Sequence, residues 1–169
     1  MMAVASQGGE EIESNEQFTR IWNNGKVVEF RLNKPLVCVG DVGIDTKFSA
    51  RTDHYKIHIE HVPDMQPSLN TLLTAMEEKE PYPGFGVRLH SSTWGLYSGS
   101  WEFNKSFHKD FTVQVAGYTA KILTDTNESL VVSNIGDLNF ILACAWASDG
   151  ASTFRHYRGV INNFYIKKI

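Results

Sequence analysis

The sequence predicts an all-β protein, an antiparallel β-sandwich carrying one short inserted helix. Three observations point there. Apolar runs are short and punctuated by turn residues from Gly25 to the end of the chain. The segment "HYKIHIEHV" alternates strictly, with Tyr55, Ile57 and Ile59 on one side and His54, Lys56, His58 and Glu60 on the other. Aromatic residues make up 12% of the chain beside thirteen glycines, a balance that leans towards sheet.

The elements follow in order. Residues Met1 to Gln17 are small, polar and acidic, and Glu10, Glu11, Glu13 and Glu16 precede any basic residue. They read as a flexible acidic arm (residues 1–17), mobile unless a partner holds it, ahead of one sandwich domain over residues 18–169. Val27, Val28, Phe30 and Leu32 predict a strand, and "LVCV" at Leu36 to Val39 predicts another, ended by Gly40-Asp41. In "PSLNTLLTAMEEKEPYPG", Leu69, Leu72, Leu73 and Met76 fall at i, i+3, i+4 and i+7, with Ser68 as N-cap and Pro81 beyond the end. That spacing predicts an amphipathic helix over residues 68–79, packed on the sandwich or docked on another chain. Strands resume with "GFGVRL", "TWGLY", "SWEF", "FTVQVAGYTAKIL", "SLVVS", "LNFILACAW" and "RGVINNFYIKKI". Ala116-Gly117 marks a hairpin turn, and the nearly all-apolar "LNFILACAW" suits a strand buried on both faces.

The chain of 169 residues has a net charge of −3, and with the four glutamates of the first seventeen residues set aside the remainder is close to neutral, so a basic nucleic-acid footprint is excluded. No apolar run approaches the ~20 residues of a membrane span, and the N-terminus lacks the basic and apolar regions of a signal peptide. Cys38 and Cys144 each lie in an apolar run, where a buried thiol is the ordinary outcome, although spacing leaves a disulfide open.

The closing portion, "FTVQVAGYTAKILTDTNES" followed by "LNFILACAWASDGASTFRHYRGVINNFYI", resembles the end of concanavalin A-like, laminin G-like jelly-roll sandwiches. The likeness rests on a strand pair, an apolar strand, a loop, and a last strand reading aromatic–x–Gly–x–Ile at Tyr157-Arg158-Gly159-Val160-Ile161. The resemblance implies a curved sandwich whose relatives bind glycans, sometimes through Ca²⁺, or serve in assembly. Trp94-Gly95 matches the galectin Trp-Gly, but the rest of the galectin signature is missing. The Glu-x-Asp-x-x-Glu strand of sandwich glycosidases is absent too. Glycoside hydrolysis needs paired carboxylates, so no enzymatic activity is expected on this reading.

Candidate sites narrow accordingly. Asp125, Asn127 and Glu128, like Asp41 and Asp45, suit a hard oxygen site, but turn chemistry explains them without metal. His54 and His58 stand about 13 Å apart at ~3.3 Å per residue of strand, too far to share one ion. No catalytic residue, metal or cofactor is expected. If Ser98-Gly99 is a two-residue turn, Trp94, Leu96, Trp101 and Phe103 share a core face, while Tyr97 and Glu102 face outwards. Tyr97 and Glu102 are therefore candidate ligand contacts. Arg155, His156, Tyr157 and Arg158 form a second, polar-aromatic cluster suited to a carboxylated sugar or a protein surface. The expected function is a non-catalytic recognition module for glycans or another cell-surface receptor, such as the head of a viral or phage attachment protein. The alternative is a structural assembly subunit, homo-oligomeric or virion-bound, using the arm and the helix for contacts.

Overall fold

The computed structural model describes residues 2–5, 9–40, 43–64, 69–76, 83–90, 93–97, 109–143 and 157–169; in residues 2–5, 69–70, 88–90, 93–95 and 97 it describes the backbone alone. Two antiparallel sheets form an all-β sandwich. The larger contains, in spatial order, β1 (Met2–Ala5), β2 (Glu10–Ser14), β3 (Phe18–Asn23), β4 (Lys26–Leu32), β15 (Arg158–Lys168), β7 (His54–Pro63), β11 (Asp110–Ala116), β12 (Thr119–Thr124) and β13 (Ser129–Val132). A further strand, β5 (Leu36–Val39), pairs with the first half of β15. The smaller sheet runs β10 (Thr93–Tyr97), β9 (Gly84–His90), β8 (Leu69–Met76), β14 (Asn139–Leu142) and β6 (Ile44–Ser49).

The expected strands over Lys26–Leu32, Leu36–Val39 and His54–Pro63 form, and Tyr55, Ile57 and Ile59 are buried as their alternation requires. β15 is the spine of the larger sheet, flanked by β4 and β5 on one side and β7 on the other. The hairpin after β11 turns through Gly117-Tyr118, one residue later than expected, because Ala116 pairs with Thr119. Gly117 supplies the positive φ (63°) that such a turn needs.

The inserted helix is corrected: Leu69–Met76 is a strand, paired with β9 on one side and β14 on the other. The cause of the helix-like spacing is visible in the register. A bulge between Thr71 and Leu73 breaks the period of two, so the adjacent Leu72 and Leu73 both enter the core. Residues 71–76 are all buried, which suits an inner strand and leaves no wet face for an amphipathic helix. The N-terminal arm is corrected as well. Residues 2–5 and 10–14 are strands that extend the larger sheet, and Glu13 holds Arg20 at 2.7 Å while the Arg20 guanidinium lies 4.3 Å over Phe18. The acidic residues thus complete an edge of the sheet rather than trail from it.

An aromatic run fastens the two sheets. Tyr55 of the larger sheet sits edge-on between Phe48 and Phe140 of the smaller, with centroids 5.2 and 5.8 Å away, and Phe85 follows at 5.4 Å from Phe140. All four rings are fully buried. Beside them, Thr46, Lys47 and Phe48 of β6 oppose Phe140 alone in β14, and this bulge is closed by one buried hydroxyl. Thr46 Oγ1 donates to the Phe140 carbonyl (2.7 Å) and accepts from the Phe48 N–H (3.1 Å). Two outcomes test this packing by urea denaturation. Phe140→Ala is expected to cost about 3–5 kcal/mol. Thr46→Val keeps the shape but strands two buried polar groups, and about 1–3 kcal/mol is expected to go.

Candidate functional site

Among the described residues, a cleft of about 200 Å³ opens beside β6, β8 and β14, lined by Asp45, Thr74, Ala75, Met76, Asp137, Leu138, Asn139 and Ile141. Its position follows from strand pairing. Ile141 pairs with Asp45 on one side and Thr74 on the other, so a carboxylate, an apolar side chain and a hydroxyl form one transverse row. Leu73, Ala75, Phe140 and Leu142 belong to the core between the sheets, whereas Thr74, Met76 and Ile141 lie outside that core and floor the cleft. Asp45 is fixed locally, its carboxylate accepting from the Lys47 N–H at 2.8 Å and lying 3.3 Å from the Lys47 ammonium.

Through the lining residue Asp137, Arg51 links the cleft to an exposed ring. Its guanidinium donates to Asp137 at 2.7 Å and to the Gly117 carbonyl at 3.3 Å, and stacks 4.1 Å from the centre of Tyr118. Tyr118 is 56% exposed, so its ring is offered to solvent at a hairpin tip. The hydrogen bond to Asp137 raises the Arg51 pKa further and keeps it charged. The whole group is held from beneath. Tyr55 Oη donates to the Ala50 carbonyl (2.9 Å), Ala50 N–H to the Leu138 carbonyl (2.9 Å) and Ile135 N–H to the Tyr118 carbonyl (2.8 Å). These bonds tie the Arg51 turn, the Asp137 segment and the Tyr118 hairpin to the core, which is the preorganisation a binding site requires.

A second polar group lies on the outer face of the larger sheet. Across β15, β7 and β11, Tyr165, His58 and Asp110 stand in register. Asp110 meets His58 Nδ1 at 2.8 Å, Glu60 meets Nε2 at 3.0 Å, and Tyr165 stacks on the ring at 5.1 Å and 16°. With a carboxylate on each ring nitrogen, only the imidazolium donates to both. Partial burial opposes that charge, but the hydrogen bonds to Glu60 and Asp110 and their negative charges prevail and hold the His58 pKa above 6.5. The same bond lowers the Glu60 pKa. The cluster satisfies itself and acts as a staple between strands.

Of the residues singled out in the sequence, Tyr157 is corrected. Its ring is fully buried and its hydroxyl lies 2.7 Å from His61 Nδ1, so it offers no face to a ligand. Burial raises the Tyr157 pKa and lowers that of His61 to about 4, leaving a neutral acceptor for the phenol. Arg158 is exposed, with its guanidinium over Gly40. Tyr97 ends β10 opposite Gly86, its side chain outside the described set. Glu102, Arg155, His156 and the proposed Ser98-Gly99 turn lie outside the described residues, as does Cys144. Cys38 is buried, its thiol directed to the Leu36 carbonyl. Asn127 adopts φ 64° in the tip between Thr124 and Glu128, the turn geometry expected there. Sequence reasoning missed Arg51, Tyr118 and Asp137, whose one available signal was the glycine-aromatic pair at a hairpin tip.

No family model and no curated protein sequence matches this chain. Among solved structures, it is similar to Trypanosoma rangeli sialidase in complex with the inhibitor DANA, at 12% identity and a TM-score of 0.49, covering 93% of this chain and 30% of that one. The same sialidase with sialic acid gives 13% identity, a TM-score of 0.49 and coverages of 93% and 30%. Its covalent intermediate with 2,3-difluorosialic acid gives 13%, 0.46, 98% and 32%. The chain thus spans about a third of the sialidase chain. Those solved chains are named as sialidases, and the expectation of a chain without catalysis is not carried forward.

The two histidines set opposite pH limbs. His58, raised in the fold, contributes stability that is fully present below ~6.5 and is lost as pH climbs through its higher folded value. His61, lowered to about 4, contributes stability that is present above ~6.5 and is lost as pH falls towards that value. The urea midpoint is therefore expected to peak near pH ~6.5. His58→Gln should flatten the alkaline limb alone, and a midpoint unchanged between neutral and mildly alkaline pH in the parent chain contradicts the staple.

Proposed function

We propose that this chain recognises carbohydrate, and that the cleft lined by Asp137, with Arg51 and Tyr118 joined to it through that residue, receives it. The observation that carries this reading is a small cleft with an apolar floor and fixed polar groups, whose lining residue Asp137 holds Arg51 against the exposed Tyr118 ring. A sugar presents an apolar C–H face and a ring of hydroxyls. An aromatic platform meets the first, and carboxylate, amide and hydroxyl groups meet the second. In its finer form the ligand is a glycan on a cell surface and the domain is part of an attachment protein with a jelly-roll, concanavalin A-like sandwich.

A second reading, assembly with further copies of the chain, draws on a different surface. Val37, Val160 and Val62 form a row across β5, β15 and β7, and Val37, Val39 and Val62 are each more than 60% exposed. Sedimentation that rises with protein concentration, and is abolished by Val62→Glu, would favour that reading.

The test of carbohydrate recognition is a glycan array on the intact chain, followed by titration of the best ligand against an alanine panel. Tyr118→Ala is expected to weaken binding at least tenfold with the fold intact. The panel also includes Arg158→Ala, Tyr97→Ala, Glu102→Ala, Arg155→Ala and His156→Ala, so contacts outside the cleft declare themselves. Binding that survives Tyr118→Ala and Asp137→Asn unchanged moves the site elsewhere, and an array blank for every glycan class sinks the reading.

A further inference from the structure

Resting on the carbohydrate reading, we infer that the cleft selects uncharged, hydroxyl-rich sugars and rejects carboxylated ones. The groups facing it decide this. Asp45 and Asp137 place two carboxylates among its lining residues, and Asn139 adds an amide. Arg51, the cation that would receive a sugar carboxylate, is already engaged. One side donates to Asp137, another to the Gly117 carbonyl, and its plane lies on Tyr118. Lys47 is held at Asp45. A uronic or sialic acid entering here meets carboxylates whose countercharges are spent, whereas a neutral sugar brings hydroxyl donors to acceptors.

A second observation marks the cleft as a site. Thr74 is 4% exposed and lines it, and no hydrogen bond to its hydroxyl is present among the described residues. The enclosed unpartnered side-chain atoms among the described residues are Arg20 Nε and Thr71 Oγ1, so the Thr74 hydroxyl is not sealed off and can be met by a ligand hydroxyl in the cleft. Met76 and Ile141, 5% and 8% exposed, give the apolar wall against which a pyranose C–H face can lie.

Calorimetric titration of the intact chain with matched pairs tests the inference. The probes are methyl glucoside against methyl glucuronide and methyl galactoside against methyl galacturonide, with N-acetylneuraminic acid as a further acid. At least one neutral member is expected to bind tenfold or more tighter than its uronate, and Asp137→Asn should narrow that ratio. Thr74→Val, which keeps the buried shape, should weaken the neutral sugar while leaving the melting temperature in place. Uronate or sialate binding tighter than the neutral partner overturns this selectivity but leaves carbohydrate recognition standing. Thr74→Val binding as the parent does overturns the role of the hydroxyl. No heat or competition from any probe, together with a blank glycan array, removes the carbohydrate reading and this inference with it.

Discussion

The structure turns on Tyr55. Among the described residues, its ring is the one aromatic of the larger sheet inserted into the run of Phe48, Phe140 and Phe85 from the smaller, and its hydroxyl reaches the Ala50 carbonyl at 2.9 Å. The ring contributes apolar burial and edge-on contacts at the centre of the sandwich. The hydroxyl satisfies the backbone of the turn that carries Arg51. Burial drives the Tyr55 pKa well above its ordinary value, so it remains a neutral donor. One residue therefore couples the packing of the sheets to the placement of the candidate site.

Around that anchor, departures from regular pairing do the positioning. The bulge in β6 aligns Asp45 with Ile141, and the bulge in β8 sends Leu72 and Leu73 inwards so that Thr74 and Met76 face the cleft. Lys47 adopts φ 61° in the middle of the first bulge, a conformation that L residues rarely hold in a strand, and its N–H is taken by Asp45. Continued in unbroken register from Asn139 and Ser49, Ile141 would face Lys47 in place of Asp45. The outer face of the larger sheet shows the complementary case. Tyr165, His58 and Asp110 pair in regular register there, Glu60 lies next to the bulge between Ile161 and Asn163, and the four groups satisfy one another.

Period-two alternation made the fold class legible, and β7 and β11 follow it residue by residue. The same logic failed at β8, because a bulge turns a strand's spacing into a helix's, and a short apolar run carries no other signal to separate the two. It failed at the N-terminus because acidity alone reads as solvation, while the partner of Glu13, Arg20, lies on the next strand. The candidate site was largely illegible. Arg51 and Asp137 are 86 residues apart, and Tyr118 belongs to a hairpin distant from both in the chain. Tyr157 looked like a surface ring because its neighbours in sequence are polar, yet His61 gives its hydroxyl a buried partner that no local pattern announces.

The claim that Tyr55 links core to site is tested most directly by amide hydrogen exchange in Tyr55→Phe. Removing only the hydroxyl is predicted to raise exchange at Ala50 and Thr52, whose N–H groups bond to the Leu138 and Ser49 carbonyls, while Ile57 and Ile59 in β7 keep their protection. Ala50 and Thr52 protected as in the parent chain would contradict it, since the turn bearing Arg51 would then hold its place without the Tyr55 hydrogen bond.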